Sequence, residues 1–146
     1  MTYEKSCGAV VFYNERDKRG KVKKRYVLMI KHAHGGNYSF PKGHVEAGET
    51  EIMTAEREVF EETSVRIRIN ERFRQPVYYK PRPSVKKEVV YFLAFTRQTE
   101  IKPCPGEVAE VEWVPVEEAK GHLVHDNDKH VFDLAIQHIE SRFKPA

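Results

Sequence analysis

The stretch Gly43–Val65, GHVEAGETEIMTAEREVFEETSV, decides how this 146-residue chain is read. From Thr50 to Thr63 it reads as a helix. Thr50 suits the N-cap, where its hydroxyl can accept a backbone N–H, and Glu51 stands in the first turn, where the helix dipole favours an anion. Ile52, Ala55 and Val59 recur at helical spacing and form an apolar stripe. Positions three and four apart share a helix face, so Glu58, Glu61 and Glu62 project together, beside the stripe. Like charges at that spacing destabilise a helix by about a few tenths of a kcal/mol each, so something has to offset them. A hard divalent cation would do so. Mg2+ takes oxygen ligands in octahedral geometry and binds through a few carboxylates together with substrate phosphates. Arg57 can pair with Glu49 or Glu61 and hold the arrangement. The plainer alternative is an acidic face turned to solvent.

Working outward from this helix, Ser6–Tyr13 (SCGAVVFY) reads as a buried strand and Arg25–Lys31 as a second, alternating one, with Asn14–Lys24 as the loop between them. His32–Asn37 is turn chemistry. Beyond the helix, Val65–Ile69 and Phe73–Tyr79 read as strands. Pro81-Arg82-Pro83-Ser84 interrupts the chain, and Glu88–Thr96 returns as a strand. Val111–Val114 is a short strand and Glu117–Leu123 a short helix. Asp128–Phe143 is an amphipathic helix that buries Val131, Leu134, Ala135 and Ile139. This order predicts an α/β fold with a mixed sheet packed between helices.

The length suits one domain with a core that needs no disulfides. Hydrophobic residues at 40% and charged residues at 32% place the chain among soluble globular proteins. No apolar run reaches the length of a membrane span. The first residues read as mature sequence and not as a signal peptide. Cys7 and Cys104 fit no disulfide or zinc spacing, which makes a cytoplasmic, reducing location the default. A net charge of +3 is too mild to argue for nucleic acid. The basic run Lys18–Arg25 has no interleaved aromatics and reads as a solvated hairpin loop.

Gly43, five residues, Glu49, seven residues, then Arg57-Glu58-Val59-Phe60-Glu61-Glu62-Thr63-Ser64-Val65 resembles the Nudix box, the signature of the Nudix hydrolases. One position departs: Ser64 stands where the family has the glycine that closes the helix. Serine should cost about 1 kcal/mol in a left-handed backbone there. The resemblance implies the Nudix α/β/α sandwich with a mixed β-sheet, as a single domain over residues 1–146. It implies metal-dependent hydrolysis of a phosphoanhydride, with Mg2+ or Mn2+ held by Glu58, Glu61, Glu62 and the Gly43 carbonyl. Glu49 is similar to the box glutamate that pairs with the box arginine, here Arg57. Glu107 looks like a further loop glutamate that binds metal or serves as base, and either Glu58 or Glu107 would take the proton from water. Lys42 would contact a phosphate.

Within the family, Phe40–Glu49 (FPKGHVEAGE) is similar to the asymmetric diadenosine tetraphosphate hydrolases, which make ATP and AMP. Pro76–Lys80 and Lys87–Ala94 are similar to the same group, whose members stack a purine between aromatic rings. Tyr79 and Tyr91 are the stacking candidates, and Arg82, Lys86 and Lys87 would contact outer phosphates. The alternatives within the family are RNA 5′-triphosphate ends, (deoxy)nucleoside triphosphates and diphosphoinositol polyphosphates. An alternative of another class is a non-catalytic nucleotide sensor, against which the intact box carboxylates argue. The expected partner is a small nucleotide, with nucleic acid relevant only if RNA ends are the substrate. No membrane is expected, and the chain is expected to be a monomer or homodimer.

Overall fold

The stretch Cys7–Phe12 is buried throughout, as expected of a strand covered on both faces. It lies in β1 (Thr2–Arg16), which is central to a computed structural model describing residues 1–33, 36–104 and 108–143. β1 runs antiparallel to β2 (Val22–His32) and parallel to β6 (Val85–Phe95), so the sheet is mixed. The strand order is β3 (Tyr38–Ser39), β2, β1, β6, β5 (Arg68–Arg82). Two further strands join off this path: β4 (Lys42–His44) pairs β1, and β7 (Val108–Pro115) pairs β2.

Strand alternation sends successive side chains to opposite faces. Val10, Phe12, Val89, Tyr91 and Leu93 share one face and pack with Ala119 of α2 (Val116–His122) and Val131, Ala135 and Ile139 of α3 (Asp126–Phe143). Cys7, Ala9, Val11, Val90 and Phe92 share the other and pack with Ala55 and Val59 of α1 (Glu51–Thr63). Helices on both faces of one mixed sheet make the α/β/α sandwich that the sequence predicts. Full burial of such aliphatic side chains stabilises the fold by about 1.5–3 kcal/mol each.

Three features differ from the sequence reading. The loop expected at Asn14–Lys24 shrinks to a turn at Asp17–Lys21, because β1 and β2 continue as a polar hairpin beyond the core. Asp17 closes that turn by accepting from the N–H groups of Arg19 at 2.9 Å and Lys21 at 3.0 Å. Of the strands expected at Val65–Ile69 and Phe73–Tyr79, the first three residues, Val65–Ile67, form no strand, and the remainder lies in one strand, β5, which absorbs a register shift between Asn70 and Arg74. The short strands β3 and β4 have no period to detect, since each has too few residues to alternate visibly. No helix among the described residues is long and apolar enough to cross a membrane.

Candidate active site

Three residues of β4 position the site. Lys42 and Gly43 point to opposite faces of the sheet, Lys42 toward α3 and Gly43 toward α1. Two close approaches set this strand in place. A Cβ on Gly8 would lie 2.2 Å from the Pro41 carbonyl oxygen and 2.6 Å from Lys42 Cβ. A Cβ on Gly43 would lie 2.0 Å from Glu58 Cδ. Neither position admits any other side chain without movement, so the Glu58 carboxyl group rests directly on the Gly43 backbone.

α1 begins and ends as its sequence requires. The Thr50 hydroxyl accepts from the Met53 N–H at 3.1 Å. Ser64 closes the helix in the left-handed conformation, φ 65° and ψ 14°, and its N–H donates to the Phe60 carbonyl at 2.8 Å. The missing box glycine therefore stands at a position of positive φ, as expected. The start of the helix is tied to the sheet by Glu51, which accepts two hydrogen bonds from Arg74 at 2.8 and 2.7 Å and pairs with Lys5. The Arg74 hydrogen bonds hold the Glu51 carboxyl at a pKa of about 2. Near the other end, Glu62 is buried, and its Oε1 accepts from the Lys42 N–H at 3.1 Å.

Arg57 gathers the remaining carboxylates. Its Nε and Nη2 donate to Glu49 at 2.7 and 2.9 Å, a two-pronged pair of the strong kind. Its Nη1 donates to Glu58 at 2.7 Å and to Glu61 at 3.1 Å, and Nη2 reaches the His44 carbonyl at 3.0 Å. The sequence offered Glu49 or Glu61 as partner, and the arginine takes both. The hydrogen bonds from Arg57 hold Glu49 at a pKa of about 2, and Glu49 in turn pushes Arg57 upward. The repulsion among the helix glutamates is thus offset in part by one guanidinium.

Glu58, Glu61, Glu62 and the backbone of Gly43 form an all-oxygen set, the donor chemistry a hard divalent cation prefers. The bare Gly43 Cα lets the Glu58 carboxylate lie against the backbone of this strand, so the residues fit such an ion. Among the described residues, no three His, Cys, Asp or Glu side chains already converge as a ready cage, because Glu58 and Glu61 turn to Arg57. Glu107 lies outside the described residues.

On the opposite face, a cavity of about 280 Å3 opens beside Lys42. Val77 and Val89 form its apolar wall, and Tyr79, a residue that is 39% exposed, lines it. Tyr91 also lines it but is buried, edge-on to Phe40, with its hydroxyl donating to Asp128 at 3.3 Å. Of the two expected stacking rings, Tyr79 is the accessible one. Tyr78 points to the other face, where its hydroxyl donates to Glu88 at 2.8 Å.

Lys87 lines a neighbouring cleft that shares Tyr79 with this cavity. Burial lowers the Lys87 pKa, and the nearby Lys42 ammonium lowers it further. Arg82 stands apart at the hairpin end, 3.8 Å from Glu4, and lines neither space. The sequence reading missed His32, Ser39 and Asp128, which also line the cavity. His32 Nε2 and Ser39 Oγ are hydrogen-bonded at 2.8 Å. His32 ends β2, Ser39 ends β3 and Asp128 stands in the first turn of α3, places where polar side chains are ordinary and carry no distinguishing period.

A carboxylate helix braced by one arginine, set in an α/β/α sandwich against a glycine of the adjoining strand, defines the class. The NUDIX domain family profile matches residues 3–134, and the chain belongs to that family. Nudix hydrolases generally use divalent metal ions. The chain is 29% identical over 120 residues to the asymmetrical bis(5′-nucleosyl)-tetraphosphatase of Mus musculus, covering 79% of this chain and 81% of that one. It is 32% identical over 105 residues to an 8-oxo-(d)GTP phosphatase of Mycolicibacterium smegmatis, covering 72% of this chain. It spans 32% of that phosphatase's length, and 42% of the length of the putative mutator protein MutT4 of Mycobacterium tuberculosis, to which it is 34% identical over 105 residues. A solved structure of an Ap4A hydrolase binary complex from C. elegans superposes with a TM-score of 0.80 at 22% identity, covering 96% of this chain and 99% of that one. That likeness supports the fold.

Proposed function

We propose that this chain hydrolyses a phosphoanhydride bond in a nucleoside-diphosphate-linked substrate, and that its substrate is diadenosine tetraphosphate, cleaved asymmetrically to ATP and AMP. The observation that carries this reading is the division of labour across β4. Lys42 faces a base-sized cavity while the next residue, Gly43, carries the Glu58 carboxylate. A nucleoside seated against Tyr79 would extend its phosphates past Lys42 and Lys87 toward Glu58, Glu61 and Glu62. A fixed distance between base and box selects one bridging phosphate, and that bond is off-centre in a four-phosphate chain.

Glu58, Glu61, Glu62 and the Gly43 carbonyl would hold Mg2+ or Mn2+, which when bound lowers the pKa of water and neutralises developing phosphate charge. Arg57 and Glu49 are positioning residues: Glu49 holds Arg57, which in turn orients Glu58 and Glu61. Lys42 and Lys87 bind phosphate oxygens as point charges. Glu58 or Glu107 accepts the proton from the attacking water. Stacking on Tyr79 would contribute about 1–3 kcal/mol to binding the base. Cys7 and Cys104, which are not joined in a disulfide, support a cytoplasmic, reducing location.

Product analysis in 18O-labelled water with Mg2+ tests the proposal. Diadenosine tetraphosphate should give ATP and AMP, with the label in one of them. Two molecules of ADP would contradict the fixed-reach argument. A kcat/KM far higher for triphosphorylated RNA, a (deoxy)nucleoside triphosphate or a diphosphoinositol polyphosphate would replace the substrate while leaving the class of reaction.

A further inference from the structure

The most demanding group in the cavity is Asp128. It is only 7% exposed, yet it lines a space large enough for a base. An ionised carboxylate offers about four lone-pair sites to hydrogen-bond donors. Among the described residues Asp128 receives one hydrogen bond, from the Tyr91 hydroxyl to Oδ1 at the long distance of 3.3 Å. Burying a charge this thoroughly is costly unless donors satisfy it. Its pKa is accordingly raised, by burial first, with Lys42, His125, the Tyr91 hydrogen bond and His32 all acting the other way. A carboxylate that has one internal donor and lines a cavity is open to a further donor, such as an N–H on a ligand.

Resting on the nucleotide reading above, we propose that Asp128 reads the base: its second oxygen accepts an N–H from the amino group at the 6-position of a purine seated against Tyr79. Oδ1 already accepts from Tyr91, so the ligand contact falls to the other oxygen, and an adenine amino group supplies a donor for it. A 6-oxo purine would present carbonyl lone pairs to the same oxygen and be repelled. This makes Asp128 a specificity-determining residue distinct from the box, since α3 and α1 lie on opposite faces of the sheet.

Equilibrium binding without added metal separates this from catalysis. The probes are adenosine, inosine and purine riboside 5′-monophosphates, the last bearing nothing at the 6-position. Wild type should bind the adenosine nucleotide at least about tenfold tighter than either other probe, the scale of one hydrogen bond to a charged group. Asp128→Asn, which can turn its amide to donate, should bring the adenosine-to-inosine ratio to within about twofold of unity. Tyr91→Phe, which removes the internal donor but keeps the carboxylate, should retain the preference. Equal binding of all three by wild type, an unchanged ratio in Asp128→Asn, or loss of the preference in Tyr91→Phe would each overturn the assignment. If no probe binds at millimolar concentration and diadenosine tetraphosphate is not hydrolysed, the nucleotide reading itself fails and the role of Asp128 with it. Equal binding alongside normal hydrolysis removes only the role of Asp128.

Discussion

Replacing Gly43 by alanine adds one methyl group at the point where the site is tightest. The new Cβ would fall 2.0 Å from Glu58 Cδ and 2.2 and 2.4 Å from its two oxygens. Ordinary carbon contacts sit at about 3.5–4.0 Å, so the carboxyl group must retreat by about 1.5 Å. The obstacle is the far end of a flexible side chain and not backbone, so Glu58 can swing away at modest cost, about 1–3 kcal/mol on the scale of overpacking. The swing breaks the 2.7 Å hydrogen bond from Arg57 and removes a carboxylate from the box. Misplacement by about 1 Å can cost 100-fold in rate, so kcat should fall by at least about that factor while the protein stays folded. The assay is steady-state hydrolysis of diadenosine tetraphosphate with Mg2+, alongside a urea melt of the same preparation. A Gly43→Ala enzyme with wild-type turnover would refute the claim that Glu58 works from its place on Gly43.

Activity should vanish in EDTA and return with Mg2+ or Mn2+, and full turnover in chelator would end the metal-assisted reading. Glu61→Gln and Glu62→Gln should each lower kcat by at least about 100-fold with the fold intact, measured by kinetics and circular dichroism. Ser64→Gly should raise the melting temperature by about 2–4 °C and leave kcat nearly unchanged, because glycine takes a φ of 65° without strain. Glu49 and Glu51 both titrate near 2 in the folded chain, below their ordinary value of 4.5. Their contribution to stability is therefore complete above about pH 4.5 and is lost as pH falls toward 2. Urea midpoints across that window should fall less steeply in Glu49→Gln than in wild type. Tyr79→Ala should raise KM more than it lowers kcat, since a remote base contact is nearly the same in ground and transition states.

The carboxylate helix was legible because its information is local. The N-cap at Thr50, the period of Ala55 and Val59, and the shared face of Glu58, Glu61 and Glu62 all follow from spacing within a few turns. The buried strand at Cys7–Phe12 announced itself by an unbroken apolar run. What could not be read depends on distant residues meeting. Gly8 and Gly43 look like any strand glycine until Lys42 and Glu58 arrive beside them from elsewhere in the chain. Asp128 looks like an ordinary residue of the first turn of a helix, and only the sheet beneath it makes it the floor of a cavity. Tyr91 was expected as a stacking ring from its strand, but its burial against Phe40 leaves that part to Tyr79. Arg82 was expected near phosphates, and the length of the β5–β6 hairpin carries it away.

β4 has only three residues, so few hydrogen bonds hold it against sliding along β1. A slip of one position would exchange its two faces, sending Lys42 toward α1 and Gly43 into the cavity. The paired glycines forbid it. Lys42 can lie only over Gly8, where β1 has no side chain to displace, and Glu58 can lie only against Gly43. Each glycine is a notch, cut on a different strand and open on a different face, and the two engage together in one alignment alone. A short and otherwise weakly specified strand thereby acquires the indexing of a keyed shaft.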